Sequence, residues 1–285
     1  MVLAAIAVLG CGEDASRPNA RLVDPGGRAA PINGLELEPA SGAILLSTNR
    51  GLYRIARGSD RAERLKSRVV TPKGSSPVGK FLPIAAGGPS LLLASGHPDK
   101  RGKLPSFLGF LTSRDGGRTW KVKSRFGLAD MHSIVPAHGH IYALDTVLDG
   151  LLVGDATGST WKERVTPGSQ MLDLVVDPDD ADHLLASDKN GVYRSEDQGR
   201  RWKQLDRGES PRLAWPDGGV VYRADANRRV YKSKDRGTSW ELASLIDGRP
   251  WRLTAAGDKL LVALGDGTVL ESGDGAQSWE KRFEP

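Results

Sequence analysis

The chain has 285 residues, enough to bury a large core in one domain or two. Lys and Arg exceed Asp and Glu by five, but bases alternate with acids, as in Arg57-Gly58-Ser59-Asp60-Arg61. That pattern reads as a solvated surface and excludes a nucleic-acid partner. A single cysteine, Cys11, excludes an internal disulfide, and no stretch approaches the ~20 apolar residues of a membrane span.

Val2 to Leu9 form an apolar run that ends at Gly10-Cys11. Val8-Leu9-Gly10-Cys11 resembles a bacterial lipoprotein signal, in which a Cys after a small residue is lipid-modified and becomes the mature N-terminus. Met1 to Leu9 lacks the Lys or Arg that usually opens such a signal. The alternative is a frayed terminus with a free thiol. The expectation is therefore a signal or lipobox-like segment over residues 1–11, with Cys11 as the lipidation site. A flexible tether over 12–30 would follow, rich in Pro, Gly, Ser, Asp and Arg. This places the protein outside the cytoplasm, anchored to the bacterial cell membrane or, alternatively, secreted. A monomer is expected.

From residue 31 the chain repeats. Ser-x-Asp-x-Gly-x-x-Trp occurs as Ser113, Asp115, Gly117 and Trp120; as Ser195, Asp197, Gly199 and Trp202; and as Ser233, Asp235, Gly237 and Trp240. A fourth copy keeps Ser272, Asp274 and Trp279 but has Ala276 in place of Gly. The Asp residues are 38 and 39 apart from the second copy onward, and 82 apart between the first and second, which is two steps of 41. The missing copy falls at Gly154-Asp155-Ala156-Thr157-Gly158-Ser159-Thr160-Trp161, which keeps Gly and Trp, with Gly for Ser and Ala for Asp. A period of about 40 residues with four short strands is the signature of a β-propeller blade.

Taken in order, blade one has strands at Ile32 to Glu38, Ala43 to Ser47, Gly51 to Ala56 and Glu63 to Lys66. Blade two runs from about Lys80 to Ser124, lengthened by an insertion at Gly96 to Ser106. Blade three runs from Met131 to Val165. In blade four, Met171 to Val176, His183 to Ala186, Val192 to Arg194 and Arg201 to Leu205 are separated by Asp177-Pro178-Asp179-Asp180, Asn190-Gly191 and the Ser-x-Asp turn. Blade five runs from about Pro211 to Ala243 and blade six from about Arg249 to Phe283. The expected fold is all-β: one six-bladed β-propeller over 31–285, with Asp-box turns between strands three and four of most blades.

Turn chemistry explains each position of the motif. Asp accepts backbone N–H groups, Ser adds a local donor and acceptor, Gly takes a positive φ, and Trp covers the blade. The boxes resemble the BNR (Asp-box) repeats of sialidases, which also occur in sortilin-type receptors and many secreted binding propellers. Asn49-Arg50-Gly51-Leu52-Tyr53-Arg54, Ala94-Ser95-Gly96-His97-Pro98-Asp99 and Ala129-Asp130-Met131-His132 further resemble bacterial exported lipoproteins labelled sialidase-like glycosyl hydrolases. The resemblance implies a propeller and leaves its activity open. A sialidase needs clustered Arg, a Tyr nucleophile and an Arg-Ile-Pro signature. Tyr53-Arg54-Ile55-Ala56 mimics that signature without its Pro, and Tyr193-Arg194 repeats it at the same strand position.

A four-stranded meander puts turns one-to-two and three-to-four on one face, and turns two-to-three with the blade connections on the other. The Asp boxes thus lie away from the second mouth. That mouth should gather Asn33, His132, Arg212 and Arg252 from first strands, and Arg50, His97, Asp99 and Asp145 from two-to-three loops. Asn49, Asp188 and Asn190 accompany them. No cofactor is required. His97 and His132, beside two carboxylates, have the donors for a divalent metal. They could instead serve as acid and base, or bond one another. His138, His140 and His183 are expected at the surface of the box face. The expected function is a binding or assembly module for a protein or glycan ligand at this mouth. The alternatives are a sialidase-like hydrolase, or a metal-dependent activity at His97 and His132.

Overall fold

A computed structural model describes residues 22, 29–71, 74–100, 103–207 and 211–285. Cys11, the signal-like segment and most of the expected tether lie outside the described residues. All regular structure among the described residues is β. Five sheets are four-stranded meanders paired in chain order. Blade one consists of Ile32–Leu37, Ile44–Thr48, Gly51–Ile55 and Ala62–Arg64. Blade three is Met131–Ala137, His140–Asp145, Gly150–Asp155 and Trp161–Val165; blade four is Asp173–Val176, Leu184–Asp188, Gly191–Ser195 and Lys203–Arg207. Blade five is Arg212–Ala214, Val221–Ala224, Arg229–Ser233 and Glu241–Leu245; blade six is Pro250–Ala256, Lys259–Leu264, Val269–Ser272 and Glu280–Phe283.

The expected count of six blades is corrected to five, because the second position of the repeat holds a closed five-stranded barrel. Its strands are Arg68–Thr71, Gly74–Gly88, Leu91–Pro98, Phe110–Ser113 and Thr119–Ser124. Arg68–Thr71, read from sequence as a connection, pairs antiparallel with the start of Gly74–Gly88. It also runs parallel to Thr119, Trp120 and Lys121. The outer edge that a blade would leave open is therefore paired.

First strands touch in succession around the ring, and Gly74–Gly88 of the barrel lies between those of blades one and three. The arrangement is a β-propeller with the barrel in one blade position. Apolar residues form layers between neighbours, as alternation along each strand requires. Leu45, Leu52, Phe81, Leu111 and Trp120 fill the layer between blade one and the barrel. Among the described residues each blade takes its four strands consecutively, with no strand exchanged at closure. The ring closes through side chains: Leu22, Ala30 and Ile32 pack with Leu261, Val269 and Phe283.

The Ser-x-Asp turns share one geometry. Ser113 Oγ accepts the Gly117 N–H at 3.0 Å and donates to Asp115 Oδ1 at 2.9 Å. Asp115 Oδ1 also accepts the amides of Arg118 (3.1 Å) and Thr119 (2.8 Å). Ser195, Ser233 and Ser272 repeat the bond to Gly199, Gly237 and Ala276 at 2.7, 2.9 and 3.0 Å. Ala276 adopts a positive φ of 66°, so the missing Gly changes residue type but not conformation. In the degenerate copy the acceptor is Asp155, one residue before the expected place. It takes the amides of Thr157 at 2.8 Å and Thr160 at 2.7 Å. Hydroxyl and amide donors favour the charged form of these carboxylates. Asp235 is held down to about 2 first by the Ser239 hydroxyl, and Asp274 to about 2 first by that of Ser278.

Candidate functional site

The mouth away from the Ser-x-Asp turns holds two polar groups. The first lies between the barrel and blade three. His97 ends a barrel strand, and His132 sits at a bulge near the start of blade three. Both rings point at Asp130: His97 Nε2 is 3.3 Å from Oδ1, and His132 Nε2 is 3.3 Å from Oδ2. The His97 contact has an ion-pair distance but no hydrogen-bond alignment, which leaves buried Oδ1 without a hydrogen bond. His97 Nδ1 donates to the Ser106 carbonyl at 2.9 Å, and its ring edge meets Phe107. Burial pushes the Asp130 carboxyl up. The His132 hydrogen bond and the charges of both nearby imidazoles outweigh burial and hold it well below the usual carboxylate range.

Asp145 does not face this group as a free carboxylate. Its Oδ1 accepts the amides of Asp130 and Val147, each at 3.0 Å, so it pins the loop that carries Asp130. Thr146 completes the clasp by donating its amide to the Asp130 carbonyl at 3.1 Å. The Asp99 amide donates to the Pro77 carbonyl at 3.2 Å, fixing the barrel loop. Arg50 holds its own turn, its amide on Thr48 Oγ1 at 3.0 Å and its carbonyl on Arg64 Nε at 2.9 Å. The structure thus unites His97 and His132 through Asp130, with Asp145 behind them. It shows no convergence of Asp99 or Arg50 on that carboxylate. Among the described residues no group of three or more His, Cys, Asp or Glu is arranged to hold a metal ion. Both Nε2 atoms are directed at one carboxylate instead.

The second group spans blades four, five and six. Asp173, Arg212 and Arg252 pair with Ser187, Ala224 and Ala263 of their second strands. Those three pair in turn with Val192, Val230 and Val269. Identical register puts the three charged residues at one level of three consecutive inner strands. Arg212 Nη1 donates to the Leu172 carbonyl at 3.0 Å, and Arg252 Nε to the Asn33 carbonyl at 2.7 Å. Asn33 in turn donates to the Phe81 carbonyl at 2.8 Å, tying blade one to the barrel. Asp173 accepts the amides of Leu174 (3.0 Å) and Leu213 (3.1 Å). Trp251, 36% exposed, lies beside Arg212 with its ring centroid 5.9 Å from the guanidinium.

Asp173 is deep in protein mass yet keeps surface open to the lumen. Burial pushes its carboxyl up against the opposing charges of Arg212 and Arg252. Burial and, after it, the neighbouring Arg212 charge together lower Arg252 to about 10, against the opposing charge of Asp173. Two guanidiniums share one carboxylate, so this part of the mouth carries excess positive charge.

A further acid lies deeper. Glu36 pairs with Leu45, two residues past Gly34, which stands at the level of Asp173. That is roughly 7 Å down the strand. Its Oε2 accepts the Ala86 amide at 3.1 Å, and burial pushes its carboxyl up to about 8. The inner strands follow one another around the ring, so Glu36 and Asp173 lie on opposite sides of the channel.

Sequence reasoning missed Asp130, Asp173, Trp251 and Glu36. Asp173 could have been found by carrying the register of Arg212 and Arg252 back one blade. Glu36 stands out as an acid between Leu35 and Leu37 on an inner strand. Arg54, in the sialidase-like signature, pairs with Glu38 at 3.1 Å on the Ser-x-Asp face. On that face too, His138 is exposed and His140 half-buried, and they tie to the Asp177 and Gly154 carbonyls at 2.7 and 3.2 Å. His183 bonds Asp180 at 2.8 Å.

No protein-family profile and no curated protein sequence matches this chain. Solved structures match its fold. A chain of the nidogen/laminin complex aligns with a TM-score of 0.63 and 14% identity, over 85% of this chain and 93% of that one. An ancestral GH74 enzyme aligns with a TM-score of 0.60 and 15% identity, over 92% of this chain and 40% of its own. The GH74 xyloglucanase from Xanthomonas campestris gives 0.53 and 22%, over 89% and 38%. This chain therefore spans about two fifths of each GH74 enzyme, and at these identities the likeness is one of fold.

Proposed function

We propose that this protein is a binding propeller whose ligand enters the mouth opposite the Ser-x-Asp turns and presents an anionic group to Arg212 and Arg252. The register that sets both guanidiniums level, with Asp173 alone to balance them, carries this reading. Planar guanidiniums suit a carboxylate or phosphate, and the exposed Trp251 offers a flat apolar face for a ring. A glycan or peptide with an acidic group has both features. Cys11 would anchor the module outside the cytoplasm through a lipid, with the protein acting as a monomer.

The test is calorimetric titration with a panel of acidic and neutral oligosaccharides. A specific acidic ligand should bind, and Arg212→Ala and Arg252→Ala should each weaken it at least tenfold. Equal affinity for neutral analogues, or wild-type affinity in both variants, would sink the proposal.

A second reading, glycan hydrolysis, is favoured by one observation. Glu36 and Asp173 are two carboxyls with raised pKa on opposite inner strands, the elements of an acid and base pair. The structural neighbours of the GH74 class are consistent with it. Asp145 and His132 do not support it, since they engage the Asp130 amide and carboxylate respectively. Turnover of an oligosaccharide whose kcat falls at least ~100-fold in Glu36→Gln with KM unchanged would establish this reading. Turnover that persists in that variant would remove Glu36 from it.

A further inference from the structure

We infer that the groove between blade one and the barrel, on the face opposite the mouth, binds a sulfate or phosphate group. The groove has a volume of about 410 Å³. Its walls are the first turn of blade one at Glu38, the corresponding barrel turn at Ser90, and the first Ser-x-Asp turn. Three guanidiniums from two segments line it: Arg54 of blade one, and Arg114 and Arg118 of the first Ser-x-Asp turn.

The acids nearby do not use up this charge. Asp115 is turned into its own loop, where the Arg118 and Thr119 amides and the Ser113 hydroxyl hold it. Glu38 forms its direct ion pair with Arg54, at 3.1 Å, with Ser41 shared between them. Arg118 Nη1 donates to the Asp115 carbonyl at 3.3 Å, leaving its other N–H groups uncommitted among the described residues. Arg200 makes the same bond to the Asp197 carbonyl at 3.0 Å, so this contact belongs to the turn. Arg114 has no partner among the described residues. The other turns differ, since Arg201 is held by Asp197 at 2.8 Å, and Arg236 by Asp177 at 2.9 Å and Asp180 at 3.4 Å.

Glu38 reports the local potential independently. Burial pushes its carboxyl up, but the Ser41 hydroxyl, the Arg54 bond and charge, and the Arg118 charge together hold it below its ordinary value. A tetrahedral oxyanion has enough acceptor oxygens to meet several guanidinium forks at once, and a carboxylate has fewer. The groove is too polar to attract an apolar occupant.

The experiment is titration of the full chain with sodium sulfate and with sodium phosphate at constant ionic strength set by chloride, followed by calorimetry and thermal melting. Glucose 6-sulfate and glucose 6-phosphate form separate arms that distinguish the two esters. Saturable binding of at least one anion is expected. It should weaken at least tenfold in Arg114→Ala/Arg118→Ala and survive in Arg212→Ala, which separates this groove from the mouth. Arg114→Lys should retain part of the affinity. Absence of saturable binding, undiminished binding in the double variant, or loss in Arg212→Ala would each overturn the inference. Arg114 holds nothing in the fold among the described residues, so Arg114→Ala alone gives a folded control, expected to weaken binding severalfold with an unchanged melting temperature in the absence of anion. No weakening in that folded variant would also count against the site.

Discussion

Glu36→Gln should flatten the pH dependence of stability, and the size of the effect follows from the site. Burial raises the Glu36 carboxyl from the ordinary 4.5 to about 8, against smaller opposing effects of the Ala86 and Leu37 amides. Between those values the folded protein holds a proton that the unfolded chain has released. Stability from this group is therefore full below pH 4.5 and declines as pH rises towards 8. At about 1.4 kcal/mol per pH unit, the ceiling is on the order of 5 kcal/mol. Water in the lumen reaches part of Glu36 and screens its charge, which brings the expected change to about 2–3 kcal/mol. Gln keeps a carbonyl acceptor for Ala86 and stays neutral throughout. Urea unfolding of both proteins at pH 5 and pH 8 isolates the residue, because every other group cancels in the difference. The variant should gain about 2–3 kcal/mol on wild type between the two conditions. Parallel curves would refute the account of Glu36 as a buried, proton-bearing acid.

Other substitutions probe the rest of the structure. Ser113→Ala strands the buried Gly117 N–H, and denaturant unfolding should show a loss of about 1–3 kcal/mol. Gly191→Ala is worse. At φ 148° its new Cβ would lie 1.9 Å from the Asp206 carbonyl oxygen, so soluble yield should collapse and a cooperative melt should be absent. Asp130 has a depressed pKa, so its contribution is present above the ordinary carboxylate range and lost as pH falls through its lowered value. Asp130→Asn should therefore lose stability at neutral pH and show a shallower further loss below about pH 4 than wild type, measured by thermal melting across that window.

The repeat is legible in the amino-acid order because its chemistry is local. Ser113, Asp115 and Gly117 bond one another within a few residues, so their spacing alone announces the turn. Strand positions in blade four differ by two residues at most from those expected of the sequence. The second repeat reads wrongly as a blade because Arg68–Thr71 has no periodic signal of its own. Its pairing with Thr119–Lys121, about fifty residues on, makes it a strand. At the mouth, His97 and His132 are identifiable as residues of one rim. Their common partner Asp130 is not, because two residues before a His is a loop position unless the opposing strand is known.

The amino-acid order alone sets the period, the class of fold and the face on which the Ser-x-Asp turns lie, since these depend on contacts within one blade. Tertiary structure decides the rest. Asp173, Arg212 and Arg252 are each about 40 residues apart and share a level only when three blades pack side by side. Glu36 becomes a proton-bearing acid near neutral pH only when neighbouring strands remove its water. Desolvation and the proximity of charges are properties of the assembled ring, and no local stretch of the chain contains them.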